Sequence, residues 1–140
     1  MPAPADVQTA NGGSTVGRTE AGDKLFLTFG GTVDPTLISP GWDGSAKTVS
    51  VKFTNRGASD TVTIEAGGVP IAALGSVDLG ADYASNVTFS NSTMTASGAV
   101  VTIVLGAGSG GIHPITTPTT MVWTTPQGSK PESGPAKVQF

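Results

Sequence analysis

The residues Thr48-Val49-Ser50-Val51-Lys52-Phe53-Thr54 alternate without exception between polar and apolar side chains. Successive side chains of a β-strand point to opposite faces, so the three apolar residues share one face of a predicted strand. Residues 55–60 contain Asn, Gly, Ser and Asp, which favour turns. Residues 61–65 then resume the alternation. The sequence therefore predicts a β-hairpin over residues 48–65.

Other segments extend this pattern along the chain. Residues 24–29 alternate in the same way, with Leu25 and Leu27 on one face and Phe26 on the other. Residues 99–105 are apolar on both faces apart from Thr102, which is typical of a central strand covered on both sides. Residues 119–125 predict a last core strand. The residues expected to be almost fully buried are Val49, Val51, Phe53, Val101, Ile103 and Trp123.

The composition favours strands and turns over helices. Among 140 residues there are 20 Gly and 10 Pro, which interrupt helices and occur in turns between short strands. One short helical turn is predicted after Asp34, because Asp is a good N-cap and Pro35 suits the first helical position. The glycine-rich residues 106–111 predict a mobile loop. The sequence thus predicts a single all-β domain.

Charge and hydropathy exclude several classes of function. The net charge is −3, and the basic residues are scattered singly, so the chain lacks the basic cluster that binds nucleic acid. No apolar run approaches the roughly 18 residues of a membrane helix. Residues 1–6 have neither the charged nor the apolar region of a secretory signal. Cysteine is absent, which excludes disulfides and thiolate chemistry.

The sequence carries no catalytic or metal-binding motif. The single histidine, His113, could act as a base, but a triad also needs an oriented Ser and a carboxylate, so an exposed loop histidine is the preferred interpretation. Aspartates in loops could bind Ca²⁺, although their spacing matches no known calcium loop and turn capping explains them better. These candidates are Asp34, Asp43, Asp60, Asp78 and Asp82. We predict no enzyme activity and no cofactor.

Several motifs together resemble a known family. They are Arg18-Thr-Glu-Ala-Gly-Asp23, Thr32-Val-Asp-Pro35 followed by Gly41-Trp-Asp-Gly44, Val77-Asp-Leu-Gly80, and Thr119-Thr-Met-Val-Trp-Thr124. The pattern resembles the immunoglobulin-like domains of bacterial surface-layer and cell-surface proteins, and is most similar to a Gly/Thr-rich subgroup of high-GC bacteria and their tailed phages. The resemblance implies an immunoglobulin-like β-sandwich of about seven or eight strands. It implies an extended arm over residues 1–20, a sandwich over 21–125 and an extended tail over 126–140.

The resemblance also implies a structural function. A surface-type domain without an export signal is expected to leave the cell within a virion, so the leading hypothesis is a capsid decoration (cement) protein of a tailed phage. Its partners would be major capsid or tail protein subunits, with a homo-oligomer on the particle. The alternatives are a small phage tail protein, an immunoglobulin-like module of the bacterial cell surface, and a carbohydrate-binding module using Trp42 and Tyr83.

Contacts with such partners are expected to use exposed apolar residues and the two Pro-rich termini. Both termini are pre-extended by proline and carry small apolar anchors, so ordering them against a partner costs little. Trp42 lies in a turn, where it could either fill one end of the domain or contact a partner. The candidate interface residues are Val7, Phe26, Trp42, Val138 and Phe140.

Overall fold

A computed structural model of the chain describes residues 1–13, 17–108, 111–115, 119–132 and 140. Strands dominate it, which confirms the all-β prediction. The strands are β1 (Pro4–Ala10), β2 (Lys24–Phe29), β3 (Lys47–Thr54), β4 (Thr61–Ala66), β5 (Val69–Pro70), β6 (Ser76–Asp78), β7 (Ala84–Ser85), β8 (Val87–Ser97), β9 (Val100–Val104), β10 (Ala107–Gly108), β11 (Gly111–Ile112), β12 (Val122–Thr125) and β13 (Gly128–Pro131).

The predicted helical turn is confirmed as α1 (Pro35–Ile38). The Asp34 side chain accepts a hydrogen bond from the backbone N–H of Thr36, which satisfies an amide that a helix start leaves without a partner. A single 3₁₀ turn follows at Ala72–Leu74. None of the helices in the described ranges is long and apolar enough to cross a membrane.

Within the described residues, nine strands follow one hydrogen-bonded path in the order β1-β2-β9-β8-β3-β4-β6-β12-β13, and every pairing along it is antiparallel. The two strands at the ends of this path, β1 and β13, lie beside each other, so the sheet is nearly closed. The predicted hairpin is the β3–β4 pair, joined by the predicted turn. The inward faces of the strands enclose one core.

The core contains every residue that the alternation placed there. Val49, Val51, Phe53, Val101, Ile103 and Trp123 are buried, all at 3% exposure or less. Aromatic rings meet edge to face inside it, with 4.8 Å between the centroids of Phe29 and Trp123 and 5.4 Å between those of Phe53 and Phe89. The Trp123 indole N–H donates to the carbonyl oxygen of Leu74 at 2.7 Å, so the ring is buried with its polar atom satisfied.

The described residues at both ends of the chain contribute to this sheet and core. β1 pairs with β2 along residues 4–10, and β13 pairs with β12 immediately after the predicted domain end at 125. Phe140 is 1% exposed and packs in the core. The described parts of residues 1–20 and 126–140 therefore help to complete the sheet, because unpaired strand edges and an exposed aromatic ring are both unfavourable.

Two parts of the glycine-rich segment form short strands where the sequence predicted a loop. Ala107–Gly108 pairs with β8 and Gly111–Ile112 pairs with β7, while residues 109–110 lie outside the described ranges. Gly108 approaches Phe89 so closely that an added Cβ would lie 2.5 Å from the ring. Glycine is needed at this position for close approach, so loop mobility does not explain it.

Candidate functional site

The structure places the predicted interface residues in two different environments. Val7, Trp42 and Phe140 are buried in the core of this chain, at 0%, 6% and 1% exposure. The Trp42 indole N–H donates to the carbonyl oxygen of Ser45 at 2.6 Å, so this ring fills one end of the domain. Phe26 is half-buried on the outer side of the sheet. Val138 lies outside the described residues.

Because Val7, Trp42 and Phe140 are buried in the chain's own core, these three predicted interface residues are not accessible to a partner in this structure. Tyr83, at 0% exposure, is also inside. Stacking of a sugar requires an accessible ring face, and neither Trp42 nor Tyr83 presents one here. The aromatic platform predicted for a carbohydrate-binding module is therefore wrong for these two residues.

Phe26 belongs to an outward patch on β2 and β9, which we call the β9 face: Phe26, Val100, Thr102 and Val104. Phe26 lies directly opposite Thr102, and the next outward residues of β2, Lys24 and Thr28, lie opposite Val104 and Val100. All four side chains are half-buried. The prediction that β9 is covered on both faces is wrong within this chain, because only the inner face, with Val101 and Ile103, is buried.

A second candidate site lies on the small β7–β11 sheet, where three polar side chains form a hydrogen-bonded chain. Asp82 Oδ1 is 2.8 Å from His113 Nδ1, and His113 Nε2 is 3.1 Å from Ser85 Oγ. The side chains of His113 and Asp82 are 41% and 47% exposed, and Ser85 is also exposed. His113 lies outside the strands with a partly exposed side chain, as the sequence predicted, but the sequence did not predict that a Ser and a carboxylate are both within hydrogen-bonding distance of it.

The direction of the two hydrogen bonds follows from what each group can donate. A carboxylate can only accept, so the proton of the His113–Asp82 bond is carried by Nδ1. In the neutral imidazole this leaves Nε2 as an acceptor, and Ser85 must then donate its hydroxyl proton to it. This order of serine, imidazole and carboxylate is the one that activates a serine hydroxyl for nucleophilic attack.

The backbone around this cluster is held by buried neighbours. The His113 backbone N–H donates to the Tyr83 carbonyl oxygen at 2.7 Å, which continues the β7–β11 pairing. The Ala84 backbone N–H donates to Asp60 Oδ2 at 2.8 Å, and both Ala84 and Asp60 are fully buried. The backbone of the segment that carries Asp82 and Ser85 is thus held by buried residues, although the side chains of Asp82, Ser85 and His113 are exposed to solvent.

Asp34 and Asp43 cap turns, as the sequence predicted, whereas Asp60 and Asp78 also bind residues far along the chain. Asp34 and Asp43 each accept from a backbone N–H two residues ahead, and hydrogen bonds from Thr36 and Ser45, the side-chain bonds foremost, lower the pKa of these two carboxyls. Asp78 accepts from the Ser59 hydroxyl. In the described part of the chain, no group of three His, Cys, Asp or Glu residues is placed to hold a metal ion.

A buried carboxylate that the sequence analysis did not single out is Asp23. It is fully buried and accepts from the backbone N–H groups of Gly12, Gly13 and Glu20 at 2.9, 3.1 and 3.0 Å. Burial raises the pKa of this carboxyl, and the three hydrogen bonds oppose that effect. Asp23 therefore ties the segment after β1 to the start of β2, and its environment explains it as a structural residue.

No family model, curated protein or solved structure matches the chain. The two candidate sites are therefore assessed from their geometry and chemistry alone.

Proposed function

We propose that the chain is a structural protein of a larger assembly, and that the assembly is a virion in which it serves as a capsid decoration protein of a tailed phage. The observation that supports this is that the two faces of β9 differ in burial. This strand is apolar on both faces, yet the chain buries only the inner one. Apolar residues on the outer face of a central strand are explained when another protein subunit covers them.

The chemistry of the β9 face suits contact with a protein. Phe26, Val100 and Val104 supply apolar area, and each square ångström removed from water contributes about 25 cal/mol. On β8, the cross-strand neighbours of Val104, Thr102 and Val100 are the hydroxyl residues Thr93, Thr95 and Ser97. Neutral hydroxyls can donate and accept, and removing them from water costs far less than removing a charge.

The size of the patch indicates that it would form the centre of an interface. A stable interface buries upward of about 1,000 Å² in total, more than a few side chains provide. Interface centres are apolar and depleted of charge, with polar residues at the rim. Two charged residues fit such a rim: Lys24, which lies opposite Val104, and Asp6 on β1, which lies opposite Thr28. The occupant we propose is a coat-protein subunit, and the immunoglobulin-like sandwich class suggested by the sequence motifs remains part of this proposal.

Two measurements test the proposal. The first is mass in solution, combined with a search for the protein in purified phage particles. The second is retention on those particles by the variant Phe26→Asp, which places a charge in the centre of the β9 face. A matched control is Val69→Asp, because Val69 is an apolar strand residue that is already 65% exposed elsewhere on the molecule.

We expect the control to bind like the wild type and Phe26→Asp to be released, with both variants still showing a cooperative thermal transition. Absence of the protein from particles would refute the virion assignment. If it is present but Phe26→Asp is retained as well as the control, the β9 face is not the contact. The bacterial cell-surface alternative predicts association with cells rather than with particles.

A further inference from the structure

The Asp82–His113–Ser85 chain carries an inference that is independent of any assembly. We propose that Ser85 is a nucleophile activated by His113 and oriented through Asp82, and that it cleaves esters with small acyl groups through an acyl-serine intermediate. Both hydrogen bonds have the required order and length, at 2.8 Å from Asp82 to His113 and 3.1 Å from His113 to Ser85.

The reaction balances with the groups in place. Ser85 Oγ forms a bond to the ester carbonyl carbon while its proton passes to His113 Nε2, and Asp82 stabilises the imidazolium through Nδ1–H. The tetrahedral intermediate then expels the alcohol, which receives that proton from Nε2. Water attacks the acyl group of Ser85 with His113 again accepting a proton, and the carboxylic acid leaves as Ser85 regains its hydrogen.

The surroundings of the cluster determine the substrate class. No cavity accompanies the cluster in the described residues, and its side chains are open to solvent. A long acyl chain would therefore remain in water, whereas an acetyl-sized group needs no pocket. Openness also limits the rate, because proton transfer by a positioned base contributes about 10²–10⁴-fold and exposed dipoles stabilise an oxyanion less than enclosed ones.

A simpler role for the three residues is a clasp that joins β11 to β7. A clasp needs hydrogen bonds but no reactivity, so the distinguishing property is the nucleophilicity of Ser85 and its dependence on His113. The chain offers a clean way to measure this, because it contains no cysteine. Ser85→Cys introduces a single thiol, and an imidazole beside a thiol increases the thiolate fraction that reacts.

The first experiment incubates the full chain with a fluorophosphonate and with p-nitrophenyl acetate. We expect a covalent mass increase that maps to Ser85, and ester hydrolysis that is lost in Ser85→Ala. His113→Gln should lower the labelling rate at least about tenfold. Ser90→Ala is the matched control, since Ser90 is an exposed strand serine near Ser85 in sequence, and it should label like the wild type.

The second experiment compares the alkylation rates of Ser85→Cys and Ser90→Cys by iodoacetamide near neutral pH. We expect Ser85→Cys to react at least about fivefold faster, and the difference to disappear when His113→Gln is added. Thermal melts of each variant show whether it is folded, and the comparison of the two single thiol variants, Ser85→Cys and Ser90→Cys, leaves the clasp partner His113 intact. Equal alkylation rates of the two thiols, or fluorophosphonate labelling that is unchanged in His113→Gln, would overturn the proposal and leave the clasp.

Discussion

The packing of Phe140 makes a demanding prediction, because its ring contacts two other aromatic rings in the core. Its ring is 1% exposed and lies with centroids 5.8 Å from Phe53 and 5.6 Å from Tyr83. Truncating a buried Phe to Ala costs about 3–5 kcal/mol. We expect Phe140→Ala to cost about 3 kcal/mol, at the lower end of that range.

For a domain of this size that cost corresponds to a fall in melting temperature of roughly 10 °C. The assay is thermal unfolding followed by circular dichroism, with urea unfolding as a second measure of the free energy. The backbone N–H of Gly17 donates to the Phe140 carbonyl oxygen, and Phe140→Ala keeps this main-chain bond, so the variant isolates the ring. Leu37→Ala is the control, since Leu37 is 56% exposed and should melt within about 2 °C of the wild type. If Phe140→Ala melts like this control, the ring does not pack in the core.

Three further predictions concern the core, one turn and alkaline pH. Trp123→Ala should cost about 3–5 kcal/mol in urea unfolding, because it removes a fully buried ring, and wild-type stability would show that the inward face is misassigned. Gly75→Ala should be more destabilising than Gly67→Ala by about 2 kcal/mol or more. Both glycines have φ near +60°, so the backbone strain of an added Cβ is similar at the two positions. At Gly75 that Cβ would also overlap the Thr124 carbonyl, whereas at Gly67 it would contact nothing within 4 Å. Equal losses of stability would contradict that overlap. Burial raises the pKa of Tyr83 to about 12, so the folded protein holds a proton that the unfolded chain loses near pH 10. The resulting contribution to the free energy of unfolding is complete below about pH 10 and is lost as pH rises through 12. Tyr83→Phe should therefore lose less stability than the wild type between those pH values, and parallel stability curves would count against the shifted pKa.

The long strands were predictable from sequence because their side-chain period is two. Residues 48–54 and 24–29 bury one face and expose the other, so the alternation itself identifies the strand and its inward side. The capped turn after Asp34 was predictable for an equally local reason, since the cap and the proline act within one turn of helix. Where the physical cause lies within a few residues, the sequence is sufficient.

The short strands were not predictable in the same way. Ala107–Gly108, Gly111–Ile112 and Gly128–Pro131 have no apolar alternation, and glycine disfavours strands when considered alone. Each is paired because a neighbouring strand presents hydrogen-bonding groups that would otherwise lack partners. Their cause is therefore tertiary, and a local pattern cannot contain it.

The Asp82–His113–Ser85 chain depends on one of these short pairings. Asp82 and Ser85 are separated from His113 by about thirty residues, and the spacing matches no motif. Only the antiparallel alignment of β11 with β7 brings the imidazole between the two side chains. A possible signal was the combination of a single histidine with Asp and Ser at the ends of one short segment, but many chains share that combination by chance.

The position of Phe140 was not predictable from sequence, because burial of its ring against a partner and burial in the chain's own core have the same physical cause. The sequence places an apolar ring after a polar, proline-rich segment, and such a ring is more stable when removed from water. The hydrophobic effect has no direction, so a partner's surface and the chain's own core satisfy it equally well. What decides between them is whether the chain leaves a space beside Phe53 and Tyr83, which depends on the closure of the whole sheet. Tail anchoring to a partner would therefore require Phe140 to leave the core, at the same cost of about 3 kcal/mol that Phe140→Ala measures.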